Sequence, residues 1–355
     1  MTGPVCGTLV PTSSRTCLVS KSPKTNTIFE SNIGGSFGPE LKFAGYDGII
    51  ITGKAKNQVY LRIENNSVTL EDAGTLTGKG IFETEEWLKN EIDTEAKTLA
   101  IGPAGENLID FACIGSESYR QMGRGGAGAL FGSKNLKAIV CRGTGGVQVN
   151  EIGSFYEKVA EHTEGNLLTD DNMWAKTHGT PLLVDVTNEM GIHPTRNFTK
   201  GVSEGRQNLN ADAIDDVKIG DRSCASCPMG CGKFTSINGT KVEGPEYETL
   251  CLGGSNCEIN DLETVMKFNR LCDDYGLDTM STGNIIGLAM DITESKLHDY
   301  GIKFGDTKEF LTLIEEIATG STSRGKDLAL GAQKLAEKHN AQDKAAHSKN
   351  LEMPA

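Results

Sequence analysis

Three cysteines within thirteen residues constrain this chain more than any other stretch: Asp221-Arg-Ser-Cys224-Ala-Ser-Cys227-Pro-Met-Gly-Cys231-Gly-Lys. The spacing is C-x2-C-x3-C, and Pro228, Gly230 and Gly232 force the backbone to turn between thiols. A tight turn of this kind points several thiolates at one centre, as iron–sulfur clusters require. Zinc is a rival reading, because C-x2-C is half of many zinc sites. A disulfide is disfavoured in an unsecreted chain. Cys251, Cys257 and Cys272 follow within reach, but none sits in a comparable turn.

At 355 residues the chain has room for two domains and a sizeable core. Its formal charge of −13 argues against a nucleic-acid or anionic-membrane partner, since either needs a basic face. No stretch is apolar enough to span a bilayer. The start, Met1-Thr-Gly-Pro-Val-Cys6, has no charged or apolar signal region. Ten cysteines without a secretion signal point to a reducing, cytoplasmic setting.

Residues 1–45 are rich in Gly, Ser, Thr and Pro and read as surface loop, although they carry Arg15, Lys21, Lys24 and Asn32. Asn32-Ile-Gly34-Gly35-Ser is a candidate anion-binding nest of backbone amides. Gly48–Gly53 reads as a buried strand. Val59–Ile63 and Val68–Leu70 alternate around Asn65-Asn66 and predict a hairpin. Residues 81–91 predict an amphipathic helix. Lys97–Ile101, Ile109–Ile114 and Lys137–Cys141 read as strands, with a loop at Gly102–Asn107.

Arg120-Gln-Met-Gly123-Arg-Gly125-Gly-Ala-Gly128 contains a formal G-x-G-x-x-G. A dinucleotide fingerprint turns directly out of a strand and has an acid on the next strand. Here polar residues separate the motif from the strand, and Cys141-Arg142 ends the next one. A close-packed glycine turn is therefore expected, with exposed amides beside Arg124 able to bind phosphate. Residues 152–168, 261–275, 281–291, 308–319 and 326–338 have helical spacing. The expected fold class is α+β: a β-rich domain over 1–150, then a mainly α-helical domain over 151–355. The polar end, Lys338 to Ala355, reads as a linker rather than a docked terminus.

Two further constellations carry chemistry. Gly244-Pro-Glu246-Tyr-Glu248 offers two carboxylates for acid–base work, or acids placed at a helix start. In Asp273-Asp-Tyr-Gly276-Leu-Asp278, Gly276 stops one helix and Asp278 or Thr279 starts the next. The acids then meet at one inter-helix junction, where the N–H groups of a heterocycle could be received. His178, His193 and the C-terminal histidines read as structural or surface residues, and Tyr119 and Met122 as packing residues.

Together these pieces resemble the tungsten-containing aldehyde ferredoxin oxidoreductase family over nearly the whole chain. The carriers are Pro11-Thr-Ser-Ser-Arg15, Ser20-Lys-Ser-Pro, Glu30-Ser-Asn32-Ile-Gly-Gly, Gly45-Tyr-Asp-Gly-Ile and Gly102-Pro-Ala-Gly-Glu-Asn. They continue in Gly123-Arg-Gly-Gly through Gly132-Ser-Lys-Asn-Leu-Lys-Ala-Ile, the cysteine loop, Gly244-Pro-Glu-Tyr-Glu and Asp273-x-x-Gly-Leu-Asp278. Their order and spacing are specific where each alone is not.

The resemblance implies a tungsten or molybdenum bis-pterin centre, held by a β-rich pterin-supporting domain, with a 4Fe-4S cluster nearby. Cys224, Cys227 and Cys231 would be three cluster ligands, and Arg15 would lie between cluster and pterin. Asn32 and the backbone carbonyl of Met122 would hold magnesium, an ion that prefers oxygen ligands. Gly123, Arg124, Gly125 and Gly126 would line the phosphate site. Asp273 and Asp278 would bind pterin ring nitrogens. Glu246, or else Glu248, would be the acid–base residue.

The implied activity is anaerobic oxidation of a small aldehyde with ferredoxin as acceptor. A homodimer or an additional electron-transfer subunit would complete the assembly. A benzoyl-CoA-type reductase subunit is the alternative within the family, and a non-catalytic zinc or iron–sulfur protein the alternative outside it. Against the family pattern the chain reads as an internal fragment. It lacks strands before Thr2, and after Ala355 a second pterin-binding aspartate motif, a fourth cluster cysteine and a substrate-side histidine.

Overall fold

The computed structural model describes residues 1–355, and the α+β class expected from the sequence is what it contains. Thirteen strands are numbered here in chain order. β1 (Thr16–Lys21) and β2 (Ile28–Ile33) form an antiparallel hairpin, followed by a helix at Phe37–Phe43. β3 (Val59–Glu64) and β4 (Ser67–Asp72) form the hairpin predicted around Asn65, which takes the left-handed conformation (φ 49°).

β5 (Lys97–Ala100), β6 (Ile114–Ser116), β7 (Arg120–Met122) and β8 (Leu136–Arg142) complete a six-stranded sheet of order β4-β3-β8-β5-β6-β7. Only β3 and β8 run parallel. The period-2 pleat splits the strand residues between two cores. Ile63, Leu99, Ile139 and Cys141 face Phe37, Leu41 and Phe131. Tyr60, Ala100, Ala138 and Val140 face Ile81 and Leu88 of the helix Ile81–Glu91. Each such large apolar side chain contributes roughly 1.5–3 kcal/mol on burial.

The second half is built on helices Leu262–Tyr275, Thr279–Glu294 and Thr307–Thr319 around the largest core. Phe268 and Phe310 stack there at 4.9 Å between ring centroids. Each of these helices opens on an aspartate, Asp261, Asp278 or Asp306, whose carboxylate accepts a first-turn N–H. Gly276 and Gly320 close two of them in the left-handed conformation. A three-stranded antiparallel sheet, β9 (Lys218–Arg222), β10 (Gly232–Ile237) and β11 (Thr240–Glu243), carries the cysteine loop between its first two strands. β12 (His347–Ser348) pairs with β13 (Leu351–Glu352). No helix is long and apolar enough to cross a membrane.

Several expectations are corrected. The first 45 residues hold a hairpin and a helix, not only loop, because Ile33, Phe37 and Leu41 bury against the sheet. Gly48–Gly53 is not a strand: Ile49 and Ile51 pack on that core, but Ile50 is 92% exposed and the segment belongs to no ladder. The strand read at 109–114 begins only at Ile114. Ala112 instead makes a single bridge to Leu277, tying the sheet to the inter-helix junction. Gly102–Asn107 contains a helical turn at Pro103–Glu106. The helix read over 326–338 is two, Ser323–Leu328 and Ala332–His339, split where Gly331 takes φ 86°.

The polar end is docked. Glu352 is 1% exposed, and its carboxylate lies 3.0 Å from the buried Lys24 Nζ and accepts the Ala332 N–H.

Candidate active site

β7 runs directly into the glycine turn Gly123–Gly126, which enters the helix Ala127–Ser133. The motif therefore does leave a strand without intervening residues, contrary to the sequence reading. β7 is nevertheless an antiparallel edge strand, so the parallel β-α-β unit of a dinucleotide site is absent and the close-packed turn stands. Gly125 and Gly126 take φ 87° and 83°. A Cβ on Gly125 would lie 2.3 Å from the Phe29 ring, and one on Gly126 2.5 Å from the Asp110 carbonyl. Beside Gly123 there is open space.

That space belongs to a cavity of about 520 Å³. Arg15, Asn32, Gly123, Arg124, Glu246, Glu248, Asp273 and Asp278 all line it. Only four of its nineteen lining residues are hydrophobic, so it suits a large polar ligand. β2 supplies Glu30, Ser31 and Asn32, and β7 and its turn supply Gln121, Gly123 and Arg124. Strand alternation sends the neighbouring Met122 side chain the other way, into the apolar core, where it is 1% exposed.

The junction between helices 262–275 and 279–294 contributes the acids. Asp273 Oδ1 accepts from Gln121 Nε2 at 2.9 Å, and its Oδ2 from Asn269 Nδ2 at 2.6 Å. Burial nevertheless raises the Asp273 carboxyl well above its ordinary range. Asp278 caps its helix through the N–H groups of Met280 and Ser281, and burial raises it as well, against the pull of Arg124. Capping thus explains Asp278 locally, while Asp273 is a buried acid with no capping role. Arg124 Nε is buried without a hydrogen-bond partner, 3.8 Å from Asp278 Oδ2.

Glu246 precedes the helical turn Tyr247–Thr249, yet its side chain makes no capping bond. It accepts instead from the Thr180 hydroxyl, whose oxygen also takes the Tyr247 N–H at 3.0 Å. Burial raises the Glu246 carboxyl, opposed by Thr180 and then Arg120. Glu243 forms an ion pair with Arg120 at 2.5 Å, and burial raises its carboxyl too.

The cysteine loop packs beside this wall. The Cys224 Sγ lies 2.6 Å from where a Cβ on Gly34 would be, and Ala225 N–H donates to the Gly35 carbonyl at 3.2 Å. Burial first, then the charge of Glu246, pushes the Cys231 thiol up. The Arg120 guanidinium sits in the field of Glu243, Cys224, Glu246 and Cys231. All ten cysteines are free. No three His, Cys, Asp or Glu side chains are arranged to hold a single metal ion.

The anion nest read at Asn32–Ser36 is filled by the protein itself, since the Ser36 N–H donates to Glu117 Oε2 at 2.9 Å. Glu117 and Ser118 both have positive φ (51° and 67°) in the turn that brings Glu117 there.

The sequence reading missed Thr180, Arg120, Glu243, Gln121 and Asn269. Asn269 carried a signal, being four residues before Asp273 on one helix face. Thr180, distant in sequence from Glu246, carried none. His178 pairs with Asp215 at 2.7 Å, and His193 is fully buried against Thr187 and Ser255, so neither joins the cavity.

Comparison with known proteins adds the family. The family model described as "Aldehyde ferredoxin oxidoreductase, N-terminal domain" matches residues 1–143, and "Aldehyde ferredoxin oxidoreductase, domains 2 & 3" matches residues 157–355. A tungsten-containing aldehyde ferredoxin oxidoreductase from Pyrococcus abyssi is 41% identical over 100% of this chain and 60% of its own length. The aliphatic sulfonate oxidoreductase, WOR-like subunit, of Pyrococcus furiosus is 31% identical over 95% of this chain and 57% of its own. Among solved structures, the active-site complex BamBC of benzoyl coenzyme A reductase, in complex with 1,5-dienoyl-CoA, superposes with a TM-score of 0.84 at 29% identity. It covers 98% of this chain and 56% of that one. The chain spans about 60% of the length of the curated aldehyde ferredoxin oxidoreductases it matches.

Proposed function

The chain belongs to the aldehyde ferredoxin oxidoreductase family, an oxidoreductase family, and on that premise we propose that it oxidises an aldehyde to a carboxylic acid. The cofactors would be a tungsten or molybdenum bis-pterin centre with magnesium, and a 4Fe-4S cluster passing electrons to ferredoxin. One observation carries the reading: a single polar cavity gathers Arg15, Asn32, Gly123, Arg124, Glu246, Glu248, Asp273 and Asp278, with the cysteine loop behind its wall.

The donor set suits the pterin. Arg124 Nε is buried with no hydrogen-bond partner, and Arg124 and Gly123 line the same cavity, which sets a cation beside open backbone where a phosphate would sit. Asp273 and Asp278 present buried carboxyl oxygens to a heterocycle's N–H groups. Asn32 lines the same cavity as Gly123, the residue after Met122, and offers the hard oxygen that magnesium prefers. Cys224, Cys227 and Cys231 would ligate the cluster, and Arg15 would bridge cluster and pterin as a fixed cation. When bound, the metal centre would activate the carbonyl and take up the two electrons.

The overall balance is aldehyde plus water to carboxylic acid, two protons and two electrons. Glu246 would take the proton from the attacking water. Burial raises its proton affinity above that of an ordinary glutamate, which suits a group that accepts a proton from water. Glu248, on the same wall, is the second candidate for that role. Arg120 would hold the cavity side of the cysteine loop electrostatically fixed between two carboxyls.

A second reading, reduction of an aromatic-ring thioester, is favoured by the benzoyl coenzyme A reductase neighbour. Anaerobic assay separates the two. Aldehyde-dependent reduction of a low-potential dye supports the first, and thioester-dependent dye oxidation the second. Neither activity, in protein that carries zinc in place of iron and tungsten, overturns both.

A further inference from the structure

Thr180 is bonded to the lining residue Glu246. It opens a single helical turn, Thr180–Leu182, and does not itself line the cavity. Its hydroxyl makes two bonds at once. It donates to Glu246 Oε2, and its oxygen accepts the N–H of Tyr247, the next residue along. A hydroxyl has one proton and two lone pairs, so accepting the amide leaves its proton for the carboxylate. The side chain is thereby locked as a donor toward Glu246.

The segment bearing Thr180 is itself clamped to the cysteine loop. Gly179 has φ 69° and ψ −163°, a conformation open essentially to glycine alone, and a Cβ there would lie 2.6 Å from the Cys231 carbonyl oxygen. Just upstream, the Lys176 carbonyl takes a hydrogen bond from Lys233 Nζ at 2.6 Å. Lys233 is 1% exposed, and its ammonium also binds Asp221 Oδ1 at 2.9 Å and the Gly230 carbonyl at 3.1 Å. Residues 176–180 therefore join the base of the sulfur-bearing loop to the acid at the cavity.

We propose that Thr180 is a positioning residue for Glu246: its hydroxyl fixes one carboxyl oxygen and leaves the other free to face the substrate. This rests on the acid–base reading of Glu246, but its test does not use turnover. The charged and titratable groups that face Glu246 are Arg120, Glu248, Lys233, Glu243 and Cys231. All remain in place when Thr180 is changed.

The experiment is a carbon-13 NMR titration of the full chain labelled at glutamate carboxyl carbons. The Glu246 signal is assigned by its loss in Glu246→Gln. In Thr180→Val, which keeps the shape and removes the hydroxyl, the Glu246 midpoint rises by about one pH unit, because a donor to the ionised form is gone. Thr180→Ser restores the parent midpoint. An unmoved midpoint in a folded Thr180→Val protein overturns the proposal, as does failure of serine to restore it. Should Thr180→Val not fold, the serine variant is compared with Thr180→Ala. Loss of aldehyde activity for other reasons leaves these midpoints unchanged, so the two readings fail separately.

Discussion

Replacing Lys24 with methionine removes the buried ammonium that, together with the Arg124 guanidinium on the Glu352 carbonyl, docks the β12–β13 hairpin onto the first half of the chain. The Lys24 ammonium is fully buried, 3.0 Å from Asp110 Oδ1 and 3.0 Å from Glu352 Oε1. The Glu352 side chain is fully buried too, while Asp110 is 13% exposed. Lys24→Met therefore leaves Glu352 as a buried carboxylate whose remaining partner is the Ala332 N–H at 3.0 Å. Breaking a buried pair from one side costs about 3–5 kcal/mol. Glu352→Gln is milder, since Lys24 keeps Asp110, and should cost about 1–2 kcal/mol. The double variant should cost less than the sum of the two, because neither charge is then stranded. Urea unfolding at pH 7, followed by circular dichroism, measures all three. A Lys24→Met protein within about 1 kcal/mol of the parent, or strict additivity in the double variant, would refute the argument that this hairpin is held by a desolvated ion pair.

Three other substitutions test the packing elsewhere in the chain. Burial holds the imidazole of His193 down at about 4, against an ordinary 6.5. Folded His193 binds fewer protons than unfolded His193 between pH 4 and 6.5, so stability rises with pH over that window and is lost as pH falls through it. The contribution is about 3 kcal/mol at most, and His193→Gln should flatten that part of a stability-against-pH curve. Gly179→Ala combines a strained backbone with contact against the Cys231 carbonyl and should cost at least about 1–3 kcal/mol in urea unfolding. Gly153→Ala, in an open helical position without positive φ, should instead be neutral or stabilising by about 0.5–1 kcal/mol.

Local pattern made the β3–β4 hairpin, the helix Ile81–Glu91, the strands β5 and β8 and the three long capped helices legible, because each is specified by its own period and punctuation. Where the sequence reading failed, a distant partner decided. Ile49, Ile50 and Ile51 have strand propensity, but no neighbouring strand offers a ladder, so propensity loses. The last residues look like linker until Lys24 is brought to Glu352. The nest near Gly34 looks vacant until the left-handed turn at Glu117-Ser118 delivers a carboxylate to it.

The site divides in the same way. Many of the residues lining the cavity lie in motifs with readable spacing, from Arg15 to Asp278, although Gln121, Glu243 and Asn269 line it too and were not singled out. The contacts that hold these side chains in place have no such spacing. Gln121 reaches Asp273 across the interface between sheet and helix, and Thr180 reaches Glu246 from a short turn with no pattern of its own.

The central claim is that the cysteine loop and the polar cavity serve one redox centre. Elemental analysis of the chain purified without oxygen, paired with a Cys224→Ser, Cys227→Ser double variant, tests it most directly. The account predicts tungsten or molybdenum together with about four irons per chain in the parent, and loss of the iron in the variant. Zinc alone in the parent, released by the same two substitutions, would contradict it.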